Sequence, residues 1–307
     1  MENIFKEKQE QKTLLIYIFA LIIFTGMGIN LSGKKDTHTF DWAAGFYMVA
    51  GYFTASLALF FVSYVLGEDY PESSVFALIS YIFVFLVSIL FYDLFVVRLN
   101  HQNLSFNFKS PHISAYGFLF PMMLGSMFIS EFFTEFIPTT GKFFQRYYEI
   151  LEKSMGVLFD DPVTMVFSVS IFAPLLEEIV FRGIIQRGMM NKGVKPVKAI
   201  VISSLIFGII HANPWQLVGA FILGLMLGYA YYKTGSLLIA ILLHAFNNTL
   251  VTLLMMKSNT ETFTEFYQTS EWIILLMGIA LVGVFGYLFN KRKANLKVEN
   301  GNIGRNA

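Results

Sequence analysis

Residues 162–182 read PVTMVFSVSIFAPLLEEIVFR. An apolar run of about 18 or more residues can cross a bilayer as a helix, and Pro162–Phe181 is such a run, interrupted by two adjacent carboxylates, Glu177 and Glu178. Runs of the same character flank it: Leu14–Leu31, Trp42–Leu66, Val75–Val97, Ile113–Phe133, Val197–Ala212, Trp215–Tyr232, Ser236–Met256 and Trp272–Phe289. Val197–Ala212 and Trp215–Tyr232 are short and separated only by Asn213 and Pro214, which predicts a tight helical hairpin. The 307-residue composition agrees: 55% of residues are hydrophobic and 14% charged, against roughly 25% charged in a soluble domain. Thirty-four Phe and fifteen Tyr suit a lipid-facing surface with aromatic belts. The expected fold class is all-α, a polytopic membrane protein of eight or nine transmembrane helices around a buried polar active-site cavity.

The net charge of +1 is too balanced for a nucleic-acid partner. The absence of cysteine excludes a disulfide scaffold, a thiolate zinc site and a Cys nucleophile. Leu14–Leu31 is long and lacks a convincing cleavage site, so it reads as a span rather than a removable signal. No internal repeat supports an inverted-repeat transporter layout. Loop Lys and Arg residues set orientation. Those at Lys34/Lys35, Arg98/Lys109, Arg187/Lys192/Lys195/Lys198, Lys233 and Lys291/Arg292/Lys293 share one side, whereas the loops Gly67–Ser74 and Lys257–Glu271 are acidic. This places the C-terminus in the cytoplasm and the N-terminus outside. Lys6, Lys8 and Lys12, with Lys142, Arg146 and Lys153, argue the other way and keep open an eight-span arrangement with both ends inside. In the loop Thr134–Asp161, aromatics interleave with charges, as in an amphipathic helix lying in the interface; a gate over a substrate path is the alternative reading.

Ionisable residues inside spans are costly and by default mark function. Asp93 and Glu131 lie within about a turn of their span ends and read as structural or interfacial. Glu178 and Arg182, four apart, share a helix face and can pair. Glu177, rotated about 100° from Glu178, is left as the candidate general base. His211 and His244 stand on two further spans, and a rise of ~1.5 Å per residue puts both, with Glu177, at comparable depth from the cytoplasmic boundary. Asn248 follows His244 by one turn. Gly224 and Gly228, one turn apart, would let helices approach closely around such a cavity.

The residues Glu177-Glu178-Ile-Val-Phe-Arg182, Phe207-Gly-Ile-Ile-His211 and His244-Ala-Phe-Asn-Asn248 resemble, in order, the three motifs of the CPBP family: the CAAX proteases and bacteriocin-processing enzymes, also called the Abi or type II CAAX prenyl protease family. The resemblance covers roughly Pro162–Met256. It implies an intramembrane endopeptidase in which Glu177 and His211 activate the attacking water. His244 and Asn248 would stabilise the oxyanion, a donor there being worth ~3–4 kcal/mol, and Glu178 and Arg182 would orient the site. On this reading residues 1–161 form a four-span region with an interfacial amphipathic loop, 162–256 the protease core, and 257–307 a final span with a polar cytoplasmic tail.

The family has been described both as metalloendopeptidases and as glutamate-dependent proteases. A catalytic zinc needs three protein ligands and an open position, which Glu177 (or Glu178), His211 and His244 could supply, but the helical His-Glu-x-x-His signature is absent; the metal-free version is favoured. Tyr92-Asp93 lacks an accompanying Gly-x-Gly-Asp, and there is no Gly-x-Ser-Gly, so aspartyl and rhomboid chemistries fall away. The expected partners are the lipid bilayer and a membrane-associated peptide or protein, of CAAX or leader/bacteriocin type, in a plasma membrane. The competing functions are a non-catalytic scaffold serving a sensor or immunity system and, more remotely, a transporter with a proton relay.

Overall fold

The structure, a computed structural model, describes residues 36–66, 74–159, 161–258 and 262–292. The run Leu14–Leu31 and the tail beyond Arg292 lie outside the described residues. The protein is a polytopic all-α membrane protein: among the described residues there is no strand, and seven helices are long and apolar enough to cross a membrane by length and composition. The chain forms two compact units, Met1–Phe106 and Asn107–Ala307.

In the first unit, α1 (Trp42–Leu66) packs on α2 (Ser74–Arg98). Gly51 is where they touch: a Cβ there would lie 2.8 Å from Ser88 Cα, backbone against backbone. The last turn of α2, Asp93–Arg98, is a π-helix. Its i→i+5 pitch brings residues five apart onto one side, and Arg98 Nε donates to Asp93 Oδ2 at 2.7 Å. Asp93, 1% exposed, is thus held by a structural ion pair. Beside it, Tyr92 donates its hydroxyl proton to the carbonyl of Thr39 at 2.8 Å.

The second unit contains α3 (Ile113–Glu135), α4 (Lys142–Phe159), α5 (Pro162–Asn191), α6 (Pro196–Ile209), α7 (Pro214–Thr234), α8 (Leu237–Ser258), the short α9 (Phe263–Tyr267) and α10 (Glu271–Lys291). Leu119 and Met123 of α3, Leu227 of α7 and Ile239 and Leu243 of α8 form its fully buried core. The helices α3 and α10 cross at Gly125 and Gly278, where a Cβ on either would come within 2.7 Å of the other's carbonyl oxygen. Glu131, from α3, accepts hydrogen bonds from Phe263 N, Thr264 N and Thr264 Oγ1 at 2.8, 2.8 and 2.6 Å. The second intraspan carboxylate is therefore structural too: it ties down α9.

The expected hairpin is formed by α6 and α7. At 14 residues, α6 is only about 21 Å long at 1.5 Å per residue, short of the hydrocarbon thickness. It ends at Ile209, and the turn that follows closes at Ala212, which adopts the left-handed φ of 56°. Asn213 then caps α7 by accepting from Gln216 N at 2.8 Å, and Pro214 occupies the first turn, where its missing N–H costs nothing. The amphipathic helix expected in the loop is α4. Its half-buried Phe144 and Tyr148, one turn apart, set their edges against Trp215, 6.3 and 5.5 Å between ring centroids, and Lys142 and Arg146 stay exposed.

The helix carrying the glutamates runs from Pro162 to Asn191, ten residues past the apolar run that ends at Phe181, and it is not a regular α-helix. Val166–Phe172 and Ile179–Gln186 are π-helical, on either side of the α-helical Ala173–Glu178.

Candidate active site

Arg182 and Glu178 are both 0% exposed. Their pairing follows the i, i+4 spacing: Arg182 Nη1 donates to Glu178 Oε1 at 2.7 Å. Arg182 also donates from Nη2 to the carbonyl of Gly224 at 3.1 Å, so the guanidinium ties α5 to the backbone of α7. His244 Nδ1 lies 2.8 Å from the same Glu178 oxygen. That oxygen already accepts from Arg182, so Nδ1 is the donor. The other imidazole nitrogen, Nε2, faces Glu177 Oε2 at 3.6 Å. This is beyond a direct hydrogen bond, but one oxygen atom can bridge the two groups.

Phe207 links the rest. Its ring is 2% exposed and lies under the Arg182 guanidinium at 4.8 Å. It meets His211 and His244 edge-on, with centroids 5.0 and 5.6 Å away. The FxxxH spacing thus positions more than one histidine. His211 stands in the turn just past the end of α6 and hydrogen-bonds through Nδ1 to the carbonyl of Phe207 at 2.7 Å. A carbonyl only accepts, so Nδ1 carries the proton, and in the neutral ring Nε2 is the acceptor nitrogen.

The structure therefore joins Glu178, Arg182 and His244 by direct hydrogen bonds, sets Glu177 against His244 at 3.6 Å, and brings in His211 through the Phe207 ring. Asn248 lies one turn beyond His244, but its Nδ2 donates to the carbonyl of Val169 at 2.7 Å, and its Oδ1 accepts from Asn247 Nδ2 at 2.8 Å. Three positions contribute without having been read from the sequence. Gln186 donates to Gly228 O at 2.9 Å, Ser203 donates to Phe181 O at 2.8 Å, and Asn247 braces Asn248. Gln186 carried a signal, being a polar side chain four residues after Arg182 in an apolar stretch.

For a metal, the residues to test are Glu177, His211 and His244. His244 has Nδ1 on Glu178 and keeps Nε2 for a ligand, while among the described residues no group of three or more His, Asp or Glu side chains is arranged to hold an ion. No step below runs through a metal.

Past His211, residues Ala212, Asn213 and Pro214 form one wall of an open apolar recess of about 460 Å³, walled opposite by Phe136, Phe143 and Phe144.

Compared with known proteins, residues 159–250 match the family model described as type II CAAX prenyl endopeptidase Rce1-like; this segment contains all three motifs. A protein of Bacillus subtilis (strain 168) named "Putative membrane peptidase YdiL" is 30% identical over 117 residues, 38% of this chain and 47% of that protein. The chain thus spans about half the length of the curated relative it matches. No solved structure matches. Both matches are likenesses to the same family that the three motifs resemble, the CPBP/CAAX proteases.

Proposed function

We propose that the chain is an intramembrane endopeptidase that hydrolyses a peptide bond in a membrane-associated substrate, of CAAX or leader/bacteriocin type, in the plasma membrane with its C-terminus cytoplasmic. The observation that carries the reading is the facing pair Glu177 Oε2 and His244 Nε2 at 3.6 Å, held by the Glu178–Arg182 ion pair behind it. Glu177 takes a proton from the attacking water as its oxygen bonds to the scissile carbonyl carbon. His244, protonated and held through Nδ1 by Glu178, donates from Nε2 to the carbonyl oxygen as negative charge develops there, a contact worth about 3 kcal/mol in the transition state. His211 presents Nε2 as a second acceptor for the water. When the tetrahedral intermediate collapses, Glu177 returns its proton to the leaving amine. The apolar recess beside His211 supports a substrate with an apolar flank.

The test is cleavage of prenylated CAAX-type and membrane-anchored leader peptides by protein in nanodiscs, as wild type, Glu177→Gln and His211→Ala, each with and without a strong zinc chelator. The wild type should cleave in both conditions and the variants in neither. Activity lost on chelation and restored by zinc would replace the glutamate mechanism with a metal one. Variants that keep full biological activity in cells would sink the enzyme and leave a scaffold.

A further inference from the structure

The π-helical stretch before the glutamates has a specific chemical consequence. In that register each N–H bonds to the carbonyl five residues back, and Ala173 N accordingly donates to Ser168 O. The next donor in the register would be residue 174, and its acceptor Val169 O. Residue 174 is a buried proline, which has no N–H to give. Val169 O is therefore stripped of its helical donor inside a membrane-embedded helix, where no water is at hand to replace it. The group that reaches it is Asn248 Nδ2, at 2.7 Å, braced by Asn247.

Asn248 also stands four residues after His244, which holds Glu178 at 2.8 Å. One face of α8 thus grips α5 on both sides of Pro174: at Val169 before it and at Glu178 after it. Glu177 lies three residues past the proline, between the two grips.

We propose that Pro174 and Asn248 are a matched pair: the proline removes a backbone donor, Asn248 replaces it from α8, and Asn248 is thereby a positioning residue. It fixes the stretch of α5 that sets Glu177 against His244 and does not donate to the reacting oxygen. This differs from the role the family resemblance implies for Asn248, and its kinetic arm rests on the proposed proteolysis.

A double-mutant cycle separates the roles. Pro174→Ala restores an N–H that can bond to Val169 O without help. Full-length wild type, Pro174→Ala, Asn248→Ala and the double variant are compared in nanodiscs for unfolding midpoint, kcat and KM of peptide cleavage, and amide exchange at position 174. Asn248→Ala alone should lower the midpoint and, by misplacing Glu177, reduce kcat by about 10²-fold with little change in KM. In the Pro174→Ala background the same substitution should leave kcat within about twofold and the midpoint unmoved, with the amide at 174 protected from exchange. A loss of 10²–10³-fold, the usual cost of an oxyanion donor, in both backgrounds would overturn the proposal. So would equal midpoint shifts in both, a readout that stands even if no peptide is cleaved. Should P174A fail to fold, P174L restores the same N–H with a larger apolar side chain and carries the cycle.

Discussion

The guanidinium of Arg182 donates to the carbonyl of Gly224 at 3.1 Å. One turn on, Gln186 repeats the contact with Gly228 at 2.9 Å. Two polar side chains of α5 thus read two backbone carbonyls of α7 in register, and they can do so because positions 224 and 228 carry no side chains. Gly224 is also closed from α6: a Cβ there would lie 2.9 Å from Ser204 Cβ and 3.2 Å from Ser204 Cα. Gly224→Ala should therefore push α7 away from Arg182, destabilising the protein by about 1–3 kcal/mol and lowering cleavage. Adding Ser204→Gly removes the atom it strikes and should restore much of the unfolding midpoint. A Gly224→Ala protein with a wild-type midpoint would refute the close approach.

The Glu178–Arg182 pair is buried on every side. Removing one partner leaves a bare charge in a low-dielectric interior, at a cost of about 3–5 kcal/mol, whereas replacing both is far milder. Arg182→Met should thus unfold the protein at a much lower temperature than Arg182→Met combined with Glu178→Gln. The combination recovers the fold but not the function, because Glu178 also orients His244. Thermal melts and peptide cleavage on the three proteins decide it. Cleavage by the double variant at the wild-type rate would show that the pair has no part in the site.

Spacing alone foretold the parts of this site that lie on one helix or at one turn. Glu178 and Arg182 are four apart and pair. Asn213 and Pro214, between two short apolar runs, predict the tight hairpin that α6 and α7 form. The stretches that cross the membrane follow from their length and apolarity. Bonds between distant segments were not legible: nothing near Glu131 in the sequence announces Thr264, 133 residues away. Nor does the sequence declare the π-helical pitch of α5, since α and π stretches use the same apolar residues. Pro174 brings no backbone donor, and only the fold identifies Asn248 as the group that meets Val169 O. Phe207 was visible as a motif position, but its contact with Arg182 and both histidines depends on how α5, α6 and α8 pack.

That role for Phe207 can be separated from its bulk. Phe207→Ala empties a buried ring and should cost about 3–5 kcal/mol. Phe207→Leu keeps most of the apolar volume and should cost much less, but it loses the ring face under Arg182 and the edges beside His211 and His244. A face–cation contact is worth about 0.5–2 kcal/mol, so the leucine variant should fold yet cleave well below the wild-type rate. Equal cleavage by the leucine variant and wild type would reduce Phe207 to a space-filler.

Glu131 offers a test far from the glutamates. Its carboxylate takes both first backbone N–H groups of α9 and the Thr264 hydroxyl, and a hydrogen bond to a charged group contributes about 1.5–3 kcal/mol. Glu131→Ala should release α9, so amide exchange at Phe263 and Thr264 should accelerate strongly while amides of α6 and α7 exchange as before. Glu131→Gln keeps one carbonyl acceptor and should fall between. Neither change touches Glu177 or His244, so cleavage should persist in both variants at temperatures where they are folded. Loss of cleavage in a folded Glu131→Gln protein would mean that this tether reaches the site, and that Glu131 is more than an anchor for α9.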